Sequence, residues 1–128
     1  MQISKKTQYG LRAMVYLAKN FKRNKVFPLR EISKSEDIPF DFLEKIILEL
    51  EKSDLVKAKK GPNGGYFLAC SPRKITAGDI VGALEKTKPV NCLICGRMGK
   101  CSAKSVWNKL EQSLKDALDS INLSELTK

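Results

Sequence analysis

Apolar residues recur along this chain at helical spacing, interrupted once by two short runs around a glycine-rich turn. From Thr7 to Phe21, the residues Ala13, Met14, Leu17, Ala18 and Phe21 keep to one face of a helix. Pro28 precedes LREISKSE, which predicts a short helix with Leu29 and Ile32 inward, and Pro39 closes the turn after it. FDFLEKIILELEKSD then sets Leu43, Ile46, Ile47 and Leu50 at i, i+3, i+4 and i+7, with Asp41, Glu44, Lys45 and Lys52 on the other face. Two short helices joined by a tight turn, the second polar outside, form the pattern of a helix-turn-helix.

The two runs LVKAKK and GYFLAC flank GPNG, in which every residue favours a turn. A β-hairpin directly after a helix-turn-helix is a wing. Lys57, Lys59 and Lys60 charge one side of its tip, and the glycines there would let the backbone approach a ligand closely. An ordinary surface hairpin is the plainer alternative. ITAGDIVGALEK predicts a further short helix capped by Thr76, and Pro89 breaks the chain after it. Towards the end, Ala103, Trp107, Leu110, Leu114, Ala117 and Ile121 step by 4, 3, 4, 3, 4, a heptad seam that needs a facing partner. That partner is either the same domain or a second copy of the chain, and a free-standing terminal helix favours the second copy.

Composition sharpens this picture in two ways. The 128 residues fit one domain with an appended helix, and they carry 24 Lys and Arg against 14 Asp and Glu, a formal net charge of +10. Such an excess points to a polyanionic partner, of which nucleic acid is the commonest, with a merely solvated basic surface as the equal alternative on charge alone. No apolar run approaches a membrane span, and QISKKTQYGLR after Met1 lacks the apolar core of a secretory signal. A cytoplasmic protein is therefore expected, with its thiols reduced rather than paired.

In that setting clustered cysteines suggest metal or redox chemistry, and NCLICGRMGKC, residues 91–101, holds Cys92, Cys95 and Cys101 in a chain with four cysteines and no histidine. Clustered thiolates are ligands for iron–sulfur clusters and for structural zinc. The fourth cysteine, Cys70, ends a strand whose alternation places it with Tyr66 and Leu68, as a buried structural residue. Without histidine the usual general base is absent, and no catalytic constellation is visible. A non-enzyme is expected.

LREISKSEDIPFDFLEKIILELEKSDLVKAKKGPNGGYFLA resembles the winged-helix signature of the bacterial Rrf-type transcriptional regulators. SKKTQYGLRAMVYLA near the start and ITAGDIVGALE further on also match, so the resemblance covers nearly the whole chain. It implies a mainly α fold with a small β-hairpin. A winged helix-turn-helix DNA-binding domain with its following helix would span 1–88. A cysteine loop and dimerisation helix would span 89–128, the two packed as one unit. It further implies a homodimeric transcription factor, usually a repressor, on a pseudo-palindromic DNA operator. Asp41, Glu44 and Lys45 stand where the recognition helix faces base edges, where Glu44 can accept from a cytosine amino group. Lys60, with Lys59 and Asn63 beside it, takes the place of the basic wing residue for the minor groove. Lys5, Lys6, Tyr9 and Arg30 join the DNA-facing set, the first three as phosphate contacts.

In members with a cluster, three cysteines precede the long dimer helix, and Cys92, Cys95 and Cys101 match them. The C-x2-C pair is typical of 4Fe–4S loops, while a 2Fe–2S centre stays open. Some members complete the site with a histidine where this chain has Lys104, others with an acidic residue of the partner subunit where it has Gln8. Gln8 and Cys70 are the remaining weak candidates, beside a loop oxygen, a small thiol or solvent. Three rivals remain: a cluster-free regulator acting through thiol oxidation or a partner protein, a structural zinc protein, and a small electron carrier. A basic wing would be of no use to the last.

Overall fold

The computed structural model describes residues 2–21, 25–86 and 102–127. Helix α1 (Lys5–Lys19) starts earlier than its apolar spacing predicts, because the Ser4 hydroxyl accepts from the Thr7 N–H at 3.2 Å and caps it. It also ends earlier. Asn20 donates from its side chain to the Tyr16 carbonyl at 2.8 Å, and Phe21 falls outside the helix, 45% exposed rather than inward.

Helices α2 (Leu29–Glu36) and α3 (Phe40–Lys52) form as expected, with Pro28 and Pro39 just ahead of their first turns. Asp37, left-handed at φ 54°, makes the turn between them. Ile32 and the four inward residues of α3, Leu43, Ile46, Ile47 and Leu50, are fully buried. Each such side chain contributes about 1.5–3 kcal/mol by leaving water, so the inner face of α3 is its main anchor.

Strands β1 (Val56–Lys59) and β2 (Gly65–Leu68) pair antiparallel, with Val56 opposite Leu68 and Lys59 opposite Gly65. Phe27 adds a one-residue bridge to Tyr66 through two backbone hydrogen bonds of 2.9 and 2.8 Å. This bridge explains part of the glycine run. A Cβ on Gly65 would lie 2.5 Å from the Phe27 carbonyl, and one on Gly64 would lie 2.1 Å from the Lys59 oxygen. Their close approach is to this chain's own backbone. Gly61 differs, since it takes φ 109° at an open tip.

A 3-10 turn at Pro72–Lys74 leads to α4 (Ala77–Leu84), whose capping box joins Thr76 and Asp79 by two hydrogen bonds of 3.0 Å. Helix α5 (Lys104–Asp119) runs alongside α4, and the approach is tight: a Cβ on Gly78 would meet Asp119 Oδ1 at 1.9 Å. After α5 the chain returns to the core, where Leu123 is fully buried and its N–H donates to the Ile75 carbonyl at 2.7 Å. A last 3-10 turn at Leu123–Thr127 packs on α1. The core thus lies between α1, α3 and α4, where Gly10 lets them meet: a Cβ there would sit 2.1 Å from Leu84 Cδ1 and 3.3 Å from Ile46 Cγ2.

Candidate nucleic-acid interface

Burying one face of α3 leaves its other face fixed towards solvent. Asp41, Glu44, Lys45 and Lys52 are all exposed along it. The hairpin is anchored at its base. Val56 and Leu68 are buried at the base, while Lys57, Lys59, Lys60 and Asn63 are exposed towards the tip. Tyr66 marks how near the two elements lie: burial raises its phenol above the ordinary value, and the negative charges of Glu51 and Glu44 on α3 add to the rise.

Two aromatic platforms organise the cations around α3. The Arg30 guanidinium lies 4.9 Å from the centre of the Phe40 ring, which ties the first turn of α2 to the first turn of α3. Tyr9 meets Phe42 edge-on at 5.5 Å, with Lys5 Nζ at 5.9 Å and the Arg12 guanidinium at 5.5 Å from its ring. Tyr9 is therefore half-buried as a packing residue as well as a candidate phosphate contact. Arg12 also donates to the Glu36 carbonyl at the end of α2. Lys6, expected on phosphate, is ion-paired with Glu49 of α3 at 3.1 Å. Phe40, Phe42 and Arg12 were not singled out in the sequence. Their signal is modest, an aromatic or cation at the edge of an apolar stripe.

The cysteines divide differently. Cys92, Cys95 and Cys101 lie outside the described residues, as does the domain boundary at 88 and 89. Cys70 is a free thiol just past β2, half-buried against the core instead of fully buried within the strand. Gln8 is exposed on the first turns of α1, where its Nε2 donates to the Ile3 carbonyl at 2.9 Å. Lys104 is exposed at the start of α5. No cluster of three or more metal-binding side chains occurs among the described residues. Close to the cysteine segment, the Glu85 carboxylate accepts from the Ser4 N–H at 3.1 Å, the Ser4 hydroxyl at 3.0 Å and the Thr7 hydroxyl at 2.8 Å. Charge-assisted bonds of this kind fasten the end of α4 to the first turn of α1.

The expected seam is altered at its ends. Ala103 precedes α5 as its N-cap and Ile121 follows it. Between them Leu110 and Leu114 are half-buried, Ala117 is exposed and Trp107 is 37% exposed, and no residue of α5 is buried.

A helix-turn-helix followed by a two-stranded wing, with cations on both, defines a winged-helix transcriptional regulator. Residues 3–128 match the model of the Rrf2 family, described as an iron-dependent transcriptional regulator, and the chain belongs to that family. It is 31% identical to the HTH-type transcriptional regulator IscR of Vibrio campbellii, over 100% of this chain and 78% of that protein. With the HTH-type transcriptional regulator CymR of Bacillus subtilis it shares 35% identity, over 98% of this chain and 89% of that protein. Among solved structures, T. potens IscR superposes with a TM-score of 0.80 at 36% identity, covering 98% of this chain and 85% of that one. CymR, the global cysteine regulator of B. subtilis, gives 0.82 at 32% identity, covering 99% and 96%. These relatives are regulators, and so is this chain; it is not an enzyme.

Proposed function

We propose that this chain is a homodimeric DNA-binding regulator, working as a repressor on a pseudo-palindromic operator, whose binding responds to an iron–sulfur cluster on Cys92, Cys95 and Cys101. The observation that carries the DNA half is the shared exposure of Glu44 and Lys45 on α3 and Lys57, Lys59 and Lys60 on the wing. Base edges are read by the helix, phosphate and minor groove by the wing. Dimerisation through α5 is supported by its row of Trp107, Leu110, Leu114 and Ala117, none of them buried within its own subunit. Two half-sites then require two copies.

For the sensor half, the donor set fits the group. Three thiolates within eleven residues suit iron or zinc, and the family's description is of iron dependence. Gln8 is not an ordinary iron ligand and Cys70 is half-buried against the core, so in this reading the fourth corner falls to a loop oxygen, a small thiol or solvent, of which the last two can exchange. A cluster supplies redox and nitric oxide chemistry and a constraint on the segment between α4 and α5. The residues that pass such a constraint on are Glu85, Ser4 and Thr7, which join that segment to the helix bearing Lys5, Lys6 and Tyr9.

A cluster-free thiol regulator is the second reading, favoured by the 35% identity to CymR. Iron, sulfide and zinc analysis of anaerobically purified protein, with its visible spectrum, separates the two. The expected result is iron and sulfide with a visible chromophore. Cys92→Ser, Cys95→Ser and Cys101→Ser should each lose it, and Cys70→Ser should keep it. Zinc without sulfide would make the site structural, and metal-free, colourless protein would favour direct thiol chemistry.

A further inference from the structure

Leu48 is 46% exposed in the middle of α3, and among the described residues it is the one large apolar side chain so exposed within α1–α4. Its exposure is a consequence of the helix's own geometry. Ile46, Ile47 and Leu50 take the buried face, and Glu49 is held by Lys6 of α1 at 3.1 Å, so Leu48 is turned away from both. It lies three residues after Lys45 and four after Glu44, directly in line with them on the outward face. Lys52 continues that line one turn further on.

We infer that Leu48 is a specificity-determining residue of the DNA interface, reading a thymine through its 5-methyl group in the major groove. This rests on the proposed operator binding by α3. Thymine carries the one apolar group among the major-groove base edges, and an aliphatic side chain is its natural complement. Leu48 stands about 6 Å along the axis from Glu44, roughly two base-pair steps, so its thymine lies within about three base pairs of the base that Glu44 reads. The occupant is DNA rather than a second copy of the chain. Leu48 continues the row of Glu44, Lys45 and Lys52 that the proposed operator binding turns towards the groove, and a further copy with a net charge of +10 would meet a chain of the same net charge.

Deoxyuridine tests this directly, because it differs from thymidine by that methyl alone. Duplexes would be recovered from a random library by repeated binding to the intact, anaerobically purified protein, and their thymines replaced singly by deoxyuridine. One replacement, within three base pairs of the position whose preference changes in Glu44→Ala, should weaken the wild type about fourfold, the value of one buried methyl group. Leu48→Ala should bind the thymine duplex about fourfold more weakly and lose all sensitivity to that replacement. Equal sensitivity in Leu48→Ala and wild type would overturn the inference. In that case a reduced salt slope in Lys60→Ala on the same duplexes would show that the operator-binding reading itself stands. A Leu48→Ala protein that changed from dimer to monomer in sedimentation would also overturn it, since the face would then belong to a second copy. Failure to recover any duplex would remove both claims together.

Discussion

Lys60 and Glu44 are both exposed and charged, yet they should act on DNA in different ways. Lys60 sits on the open tip beside Gly61, where a cation meets phosphate or a narrow groove whatever the sequence. Lys60→Ala should weaken binding to all duplexes alike and flatten the dependence of log K on log salt by roughly one unit. Glu44→Ala should alter base preference at one position by about 1–3 kcal/mol and leave the salt slope no flatter. The same uniform loss from both substitutions, measured by anisotropy across a panel of duplexes, would refute the division between wing and helix. At this scale the sequence was readable where a residue's role follows from its position in a period. Leu43, Ile46, Ile47 and Leu50 are buried as their spacing requires, and Thr76 caps α4. It was less readable where partners come from another element. The sequence assigns Lys6 to phosphate without showing its ion pair with Glu49, and it gives no sign that Arg30 stacks on Phe40.

At the scale of elements, the helix ends were the least legible part, because single side-chain hydrogen bonds decide them. The apolar spacing of α1 ran on to Phe21, but Asn20 bonds back to Tyr16 and stops the helix. The GPNGG turn was legible as a turn, but the reason for two of its glycines was not. For Gly65 it depends on Phe27, far away in sequence, and for Gly64 on the Lys59 carbonyl across the turn. Helix α5 was legible as a seam whose partner the sequence alone could not supply. Its Ala117 gives a clean test, since it is exposed within the subunit and a charge there should do no harm to a monomer. In a dimer the same charge would be buried without a partner, at a cost of several kcal/mol. Ala117→Asp should therefore sediment as a folded monomer and lose operator binding. A variant that stayed dimeric would place the subunit contact elsewhere.

For the whole molecule, the important fact is that two ends of the fold are fastened to one helix. The N-terminal turn of α1 carries Lys5 and Lys6, which the proposed operator binding turns towards DNA, and is also where Glu85, at the end of α4, makes three hydrogen bonds. In the sequence, the segment with Cys92, Cys95 and Cys101 lies between Glu85 and α5, so under the proposed function a change there would act on both the DNA interface and the proposed dimer contact. A coupling of this kind is reciprocal and is typically worth 1–3 kcal/mol. The direct measurement is the affinity of one selected duplex for the anaerobic protein, taken before and after its iron is removed by a chelator, at fixed salt and protein concentration. The expected result is a change of about tenfold or more, about 1.4 kcal/mol, with the same change absent in a Cys92→Ser protein. Equal affinity with and without iron, in a protein that still bound the duplex, would contradict cluster control of this regulator.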